Sequence, residues 1–403
     1  MKEQTKLLRR DLIKFSSVAM AGAYLAGAKA LLATANETPT VTFHKAISYI
    51  EGEISAKTFP GAALLVVRRG EKLLERYWGT YCSVNDREAP LTAEVFHPLF
   101  SFSKVISATA IALAHQNRLL DYDAPIHTYI PEYRGGWKDL ITLRELLTHS
   151  AGIPKCPLKG VYSPEEWQKG LEVCYAAPVD WEPGSKTEYH GLSGMFLAAE
   201  ATRRVMGLAT WEEICRKLVF EPLGAEGFSF RIPEGKPVAL TPQPKKLPAE
   251  IRSVAPWALG HPGAGGFGRL DDMIRLLQLH LNRGVWNGRT IMNKDEWQEM
   301  HRIQYEAQIA RSQIYGEPRA HEPWGLGWMI RRDVVDHSFG LGRDTSPQTF
   351  GHAGIDTLMS VCEPERQIAL VLIITDSPNE NRTSYPIMRN MVTNLVMEEI
   401  AMG

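Results

Sequence analysis

The run Ser101-Phe102-Ser103-Lys104-Val105-Ile106-Ser107-Ala108-Thr109-Ala110-Ile111-Ala112-Leu113-Ala114 organises the chain. Its alanine content predicts a long helix over 101–117. Ser101 stands where that helix begins, and Lys104, three residues on, shares its face. A serine hydroxyl is a poor nucleophile until a neighbour takes its proton. A lysine takes it only when burial or nearby charge lowers its pKa. The open N–H groups of a helix start favour developing negative charge. Ser-x-x-Lys alone recurs by chance, so the surrounding sequence has to carry the reading.

Upstream, residues 42–55 keep a helical period and run into the breaker Phe59-Pro60-Gly61. Ala62 to Arg68 reads as a strand, Gly70 as a turn and Lys72 to Trp78 as the hairpin partner. Downstream, Asp121 to Pro131 is a loop. Thr142 to His149 is a short helix capped by Thr142, with Gly152 just past its end. Ser163 to Tyr175 is a helix with Pro164 at its first position. Residues 193–206, 210–219 and 270–283 are further helices, and 231–255, with five prolines, is an ordered loop. Gly327 to Arg331, Thr357 to Cys362 and Gln367 to Thr375 are β-like, the last continuously apolar as a central strand is. Residues 383–401 form an amphipathic helix. Strands at both chain ends with helices between them predict an α+β fold with two lobes. One sheet is built from both ends and a mainly helical lobe, roughly 101–260, is inserted.

The 403 residues hold 45 Lys plus Arg against 46 Asp plus Glu, a formal net charge of −1, which argues against a basic nucleic-acid scaffold. The first 35 residues differ from the rest. Lys2, Lys6, Arg9, Arg10 and Lys14 precede an uncharged Ala/Gly-rich run from Phe15 to Ala28, then small-x-small sites ending at Ala35. This is the pattern of a secretory signal, and Arg9-Arg10 resembles a twin-arginine signal. That resemblance implies a prokaryotic protein exported through the twin-arginine machinery to the periplasm or the extracellular side. Residues 36–403 then form the mature domain, with 39 basic and 44 acidic residues. No later segment has 18 consecutive apolar residues, so no stable membrane span is expected once the signal is removed. Five cysteines form no C-x-x-C pair; Cys156–Cys174 can pair in an oxidising compartment, and buried reduced thiols are the alternative.

Two further stretches complete the pattern. Tyr189 follows Trp181-Glu182-Pro183-Gly184-Ser185-Lys186-Thr187-Glu188, and His352-Ala353-Gly354 precedes the strand Thr357 to Cys362. In the order Ser-x-x-Lys, Tyr, basic residue-x-Gly, the chain resembles the serine β-lactamase and penicillin-binding protein superfamily. It is most similar to the class-C-like branch, which includes esterases, D,D-peptidases and D-amino-acid amidases. Thr142 to Gly152, Ala264-Gly265-Gly266 and Trp324-Gly325-Leu326-Gly327-Trp328 agree, so the resemblance covers roughly residues 45–400. It implies an antiparallel sheet flanked by helices. It also implies Ser101 as acylated nucleophile, Lys104 as its proton partner, Tyr189 sharing base and acid roles, and His352 as a polar or cationic group across the cleft. The oxyanion hole would use the backbone N–H groups of Ser101 and Ile355, with Gly354 leaving room for the substrate. No cofactor or metal is expected.

Two departures shape the substrate expectation. The family's Tyr-x-Asn reads Tyr189-His190-Gly191 here, and Gly191 has no side chain to bond a substrate amide. The family's Lys-Thr-Gly reads His-Ala-Gly, so Ala353 lacks a hydroxyl and His352 is mostly neutral near pH 7. Both favour a small ester or amide over a β-lactam. β-Lactamase, D,D-peptidase or D-amino-acid amidase activity on peptide-like substrates, and a turnover-deficient ligand-binding module, are the alternatives. Ser103, His149 and His190 read as structural residues. Gly263 to Gly268 matches G-x-G-x-x-G but has no βαβ context, so it reads as a tight turn. No G-x-S-x-G elbow and no H-E-x-x-H occurs.

Overall fold

β1 (Gly61–Arg68) and β2 (Glu71–Cys82) form the predicted hairpin, joined by Arg69 and Gly70, both at positive φ as a two-residue type I′ turn requires. A register shift between Val66 and Val67 marks a bulge in this pair. The computed structural model describes residues 41–83, 88–154, 161, 163–190, 192–239, 259–316, 318, 320–333, 339–355, 358–375 and 384–402. The signal-like residues 1–35, Gly191, Cys156 and most of the proline-rich 231–255 lie outside them. Residues Phe43–Glu398 pack as one compact unit, which holds the sheet and the candidate site; Thr42 and the helical residues from Glu399 belong to a second.

The remaining strands are β3 (Glu88–Pro90), β4 (His97–Pro98), β5 (Phe267–Gly268), β6 (Val285–Trp286), β7 (Arg289–Thr290), β8 (Met329–Ile330), β9 (Phe350–Gly354), β10 (Leu358–Glu363) and β11 (Ile368–Thr375). Seven of them make one antiparallel sheet in the order β3-β2-β1-β11-β10-β9-β8. The apolar run of β11 is buried along its whole length and lies at the sheet centre, as a continuously hydrophobic strand must. It pairs with β1 from Gly61↔Thr375 to Arg68↔Ile368, so both halves of the chain meet in the middle of one sheet. This is the α+β arrangement expected from strands at both ends. The helix Leu270–Leu281 packs against β10 and β11.

Capping sets several helix starts. Thr142 and Ser163 each form a reciprocal capping box with the glutamate three residues on, Glu145 and Glu166, and Pro164 occupies the first turn. The helix Ser193–Met206 spans the predicted residues and ends at Gly207 in the left-handed conformation.

Three elements depart from the sequence expectation. The helix predicted from Ser101 divides into a 3₁₀ turn, Phe100–Phe102, and an α-helix, Ser103–Gln116. The segment predicted as helix 210–219 is α-helical at Trp211–Cys215 and widens to a π-turn over Arg216–Phe220. Pro222, which has no N–H for the carbonyl four residues back, follows that widening. Finally, Phe350-Gly351-His352-Ala353-Gly354 is itself strand β9. Its two glycines hide it from β propensity, and its place between β8 and β10 supplies the pairing.

Ser103 through Ala114 are all buried, Lys104, Ser107 and Thr109 among them, so apolar residues face every side of the helix with few polar exceptions. It packs against Ser193–Met206 and the π-turn. Gly327, at φ +77°, lies so close that a Cβ there would sit 2.4 Å from the Cβ of Ala108. We expect Gly327→Ala to lower unfolding stability by about 1–3 kcal/mol in urea melts, because overpacking and an unfavourable φ act together.

Candidate active site

The 3₁₀ turn presents Ser101, and the first turn of the following helix places Lys104 behind it. Lys104 Nζ lies 3.1 Å from Ser101 Oγ and donates to the carbonyl of Gly263 at 2.7 Å. Tyr189 OH donates to Ser101 Oγ at 2.7 Å. Residues 88 apart in sequence thus meet on one oxygen.

Each partner is held by backbone rather than chance. The Tyr189 segment is pinned by Thr187 N–H to Ala320 O and Glu188 N–H to His149 O, both at 2.9 Å. The Tyr189 ring stacks on Trp324 with centroids 5.8 Å apart and packs on His149 at 4.6 Å. The glycine-rich turn after His261 runs along the turn that carries Ser101. Leu99 N–H donates to Gly266 O, and Gly266 N–H donates to Ser103 Oγ. His261 Nδ1 accepts from Gly263 N–H at 2.9 Å, and His261 O accepts from Ala264 N–H at 3.1 Å, the latter on the same peptide as the Gly263 carbonyl that receives Lys104. Ser103 is therefore a brace for this turn, in keeping with its structural reading.

Lys104 is 1% exposed. Burial pushes its amine down to about 7, because the charged form is desolvated. Burial pushes the Tyr189 phenol up, so it keeps its proton. A neutral amine can keep an N–H on Gly263 O and turn its lone pair to the serine proton. Ser101 Oγ can then accept from Tyr189 while donating to Lys104.

β9 forms the opposite wall. His352 is buried, and desolvation, with the nearby Lys104 charge, lowers it to about 3. Its Nδ1 lies 2.9 Å from the carbonyl of Ala353. A carbonyl only accepts, so Nδ1 carries the proton and Nε2 is the acceptor. His352 is thus polar and neutral, and the cationic option falls away. Its ring lies 6.2 Å from that of Tyr189 and 5.4 Å from that of Phe339. Gly354 reaches the nucleophile turn so closely that a Cβ would sit 2.8 Å from Leu99 O. Ile355 follows it, half exposed. Gly191 lies outside the described residues.

His149 and His190 are buried with ring centroids 5.0 Å apart. Burial lowers His149 well below its ordinary value, so it packs as an uncharged ring behind Tyr189. No sequence pattern marks the Gly263 carbonyl as the partner of Lys104. A main-chain acceptor leaves no residue-type signal. Among the described residues no group of three His, Cys, Asp or Glu side chains could hold a metal ion.

Comparison with known proteins gives the family. The beta-lactamase family model matches residues 46–389. The chain is 29% identical over 263 residues to the esterase EstB of Burkholderia gladioli, covering 54% of this chain and 64% of that protein. It is 24% identical over 382 residues to an N-acetylmuramyl-L-alanine amidase of Bacillus subtilis, covering 83% of this chain and 81% of that one. The crystal structure of a penicillin-binding protein homolog from Caulobacter crescentus superposes with a TM-score of 0.68 at 19% identity, covering 89% and 97% of the two chains. The family match spans most of the compact unit that carries Ser101, Lys104 and Tyr189, and the chain accordingly belongs to the beta-lactamase family of serine hydrolases.

Proposed function

We propose that this protein hydrolyses a small ester or amide through an acyl-enzyme on Ser101. The observation that carries the reading is a serine oxygen 3.1 Å from a buried amine of pKa about 7 and 2.7 Å from a protonated phenol. Oγ attacks the substrate carbonyl carbon, and its proton passes to the neutral Lys104. The carbonyl electrons move onto oxygen, which the N–H groups of Ser101 and Ile355 receive. Collapse of that intermediate breaks the bond to the leaving group, which takes the Tyr189 proton. Lys104 returns its proton to Tyr189. Water then attacks the acyl carbon by the same route in reverse, releasing the acid and restoring Ser101.

The neutral His352 and the methyl of Ala353 offer neither a fixed charge nor a hydroxyl to a substrate carboxylate. This favours an uncharged ester, and the Burkholderia relative is named an esterase. A second reading, cleavage of an amide in cell-wall peptide, is favoured by the relative named an amidase, which matches over 382 residues. We also propose that the protein is exported, with residues 1–35 as its twin-arginine signal and 36–403 as the mature hydrolase. No helix of the described residues is long and apolar enough to cross a membrane.

The following outcomes are expected. Turnover of p-nitrophenyl acetate by the mature protein exceeds that of a chromogenic cephalosporin, and Ser101→Ala lowers the ester rate about 10³-fold or more. A faster, Ser101-dependent cephalosporin rate would reverse the substrate assignment. The pH profile of kcat/KM climbs through an apparent pKa of about 7 and is level above it, since only neutral Lys104 accepts the serine proton. Lys104→Arg loses the activity at every pH tested, because a guanidinium does not give up its proton. For export, fractionation of cells carrying Arg9→Lys with Arg10→Lys shows the protein retained in the cytoplasm, whereas unchanged periplasmic recovery refutes the signal assignment.

A further inference from the structure

We propose that Arg389 is a positioning residue for the oxyanion hole, acting through the peptide bond between Gly354 and Ile355. Arg389 sits on the C-terminal helix Ser384–Met402 and is 5% exposed. Its Nη2 donates to the carbonyl oxygen of Gly354 at 2.8 Å. That carbonyl and the N–H of Ile355 belong to one resonant unit. A cation on the oxygen draws electron density from the nitrogen and makes its N–H a stronger donor. The bond to a buried guanidinium is charge-assisted, roughly twice as strong as a neutral one.

The same contact sets the orientation of the peptide plane. Gly354 is the last residue of β9, and its pairing with Leu358 closes the β9–β10 ladder. It must be glycine because it abuts Leu99 O, so no side chain of its own restrains the plane that follows. Ile355, the next residue, is 50% exposed. Arg389 supplies a restraint on that plane from the helix. The sequence points only to the N–H side of this peptide; the carbonyl side is visible only after the helix folds back.

The inference rests on the reading of Ile355 N–H as an oxyanion donor. It is tested with Arg389→Met and Arg389→Lys in the full mature chain, using p-nitrophenyl acetate kinetics. The carbonyl stretch of a cinnamoyl acyl-enzyme, trapped from p-nitrophenyl cinnamate, is recorded alongside. Removal of a whole oxyanion donor typically costs about 10²–10³ in kcat. Arg389→Met should cost about tenfold or more in kcat with KM little changed, and should move the acyl carbonyl stretch to higher wavenumber. Arg389→Lys keeps the cation and should recover part of both. An unchanged kcat, or a fall in kcat with the carbonyl stretch unmoved, overturns the proposal and leaves Arg389 as helix packing. Should Arg389→Met fail to fold by circular dichroism, the stretch in Arg389→Lys decides in the same two directions. A wild-type stretch no lower than that of the free ester in water denies the oxyanion hole itself, and so refutes the functional reading separately from the role of Arg389.

Discussion

The site depends on the desolvation of one amine. Lys104 is enclosed by its own apolar helix, the Gly263 turn and the Tyr189 ring, 5.2 Å from Nζ. Its fall from 10.5 to about 7 corresponds to a folding cost on the order of 5 kcal/mol. The sign follows from proton binding. Above pH 10.5 the lysine is neutral in both folded and unfolded chains and the cost is absent. As pH falls, the unfolded chain gains its proton first, so the cost grows until the folded lysine also protonates near 7. Packing elsewhere in the unit has to offset this; β11 and Ser103–Ala114 are buried along their whole length.

The surrounding imidazoles obey the same constraint. His261 is lowered to about 3 and His352 likewise, each mainly by burial, with the Lys104 charge adding to the effect. Any one of them protonated would repel a protonated Lys104. A shell of neutral rings therefore leaves Lys104 as the group in this cluster that titrates near neutrality. Neutral imidazoles still offer one donor and one acceptor, which lets them orient peptides without adding charge. His261 does this for Gly263, and His352 does it for the carbonyl of Ala353.

Rigidity comes from backbone interlocks across distant segments. The Ser101 turn is stitched through Leu99 to the Gly263–Gly266 turn, that turn receives Lys104, and β9 closes against the carbonyl of Leu99. Gly327 leaves space for Ala108 on the helix that carries Lys104. A small displacement at any of these contacts would move Oγ relative to Nζ and the Tyr189 phenol. The proposed acyl transfer is sensitive to such displacements, because Ser101 Oγ, Lys104 Nζ and the Tyr189 phenol share one short hydrogen-bond chain.

Much of this protein is legible in residue order. The apolar run of β11, the Arg69-Gly70 hairpin, the capping boxes at Thr142 and Ser163 and the Ser101–Lys104 spacing are local patterns. Periodicity and turn chemistry encode them directly. The meeting of Tyr189 with Ser101 could be anticipated only by resemblance, since nothing near Tyr189 marks its partner. Three features had no local signal. β9 carries two glycines and becomes a strand only because β8 and β10 pair with it. The acceptor for Lys104 is a main-chain carbonyl, which every residue possesses. Arg389 is one arginine among many until the C-terminal helix lays it on Gly354 O. Local patterns establish which elements form and which residue types can do chemistry. Burial, and with it the protonation state of Lys104 and His352, arises only when distant segments exclude water together.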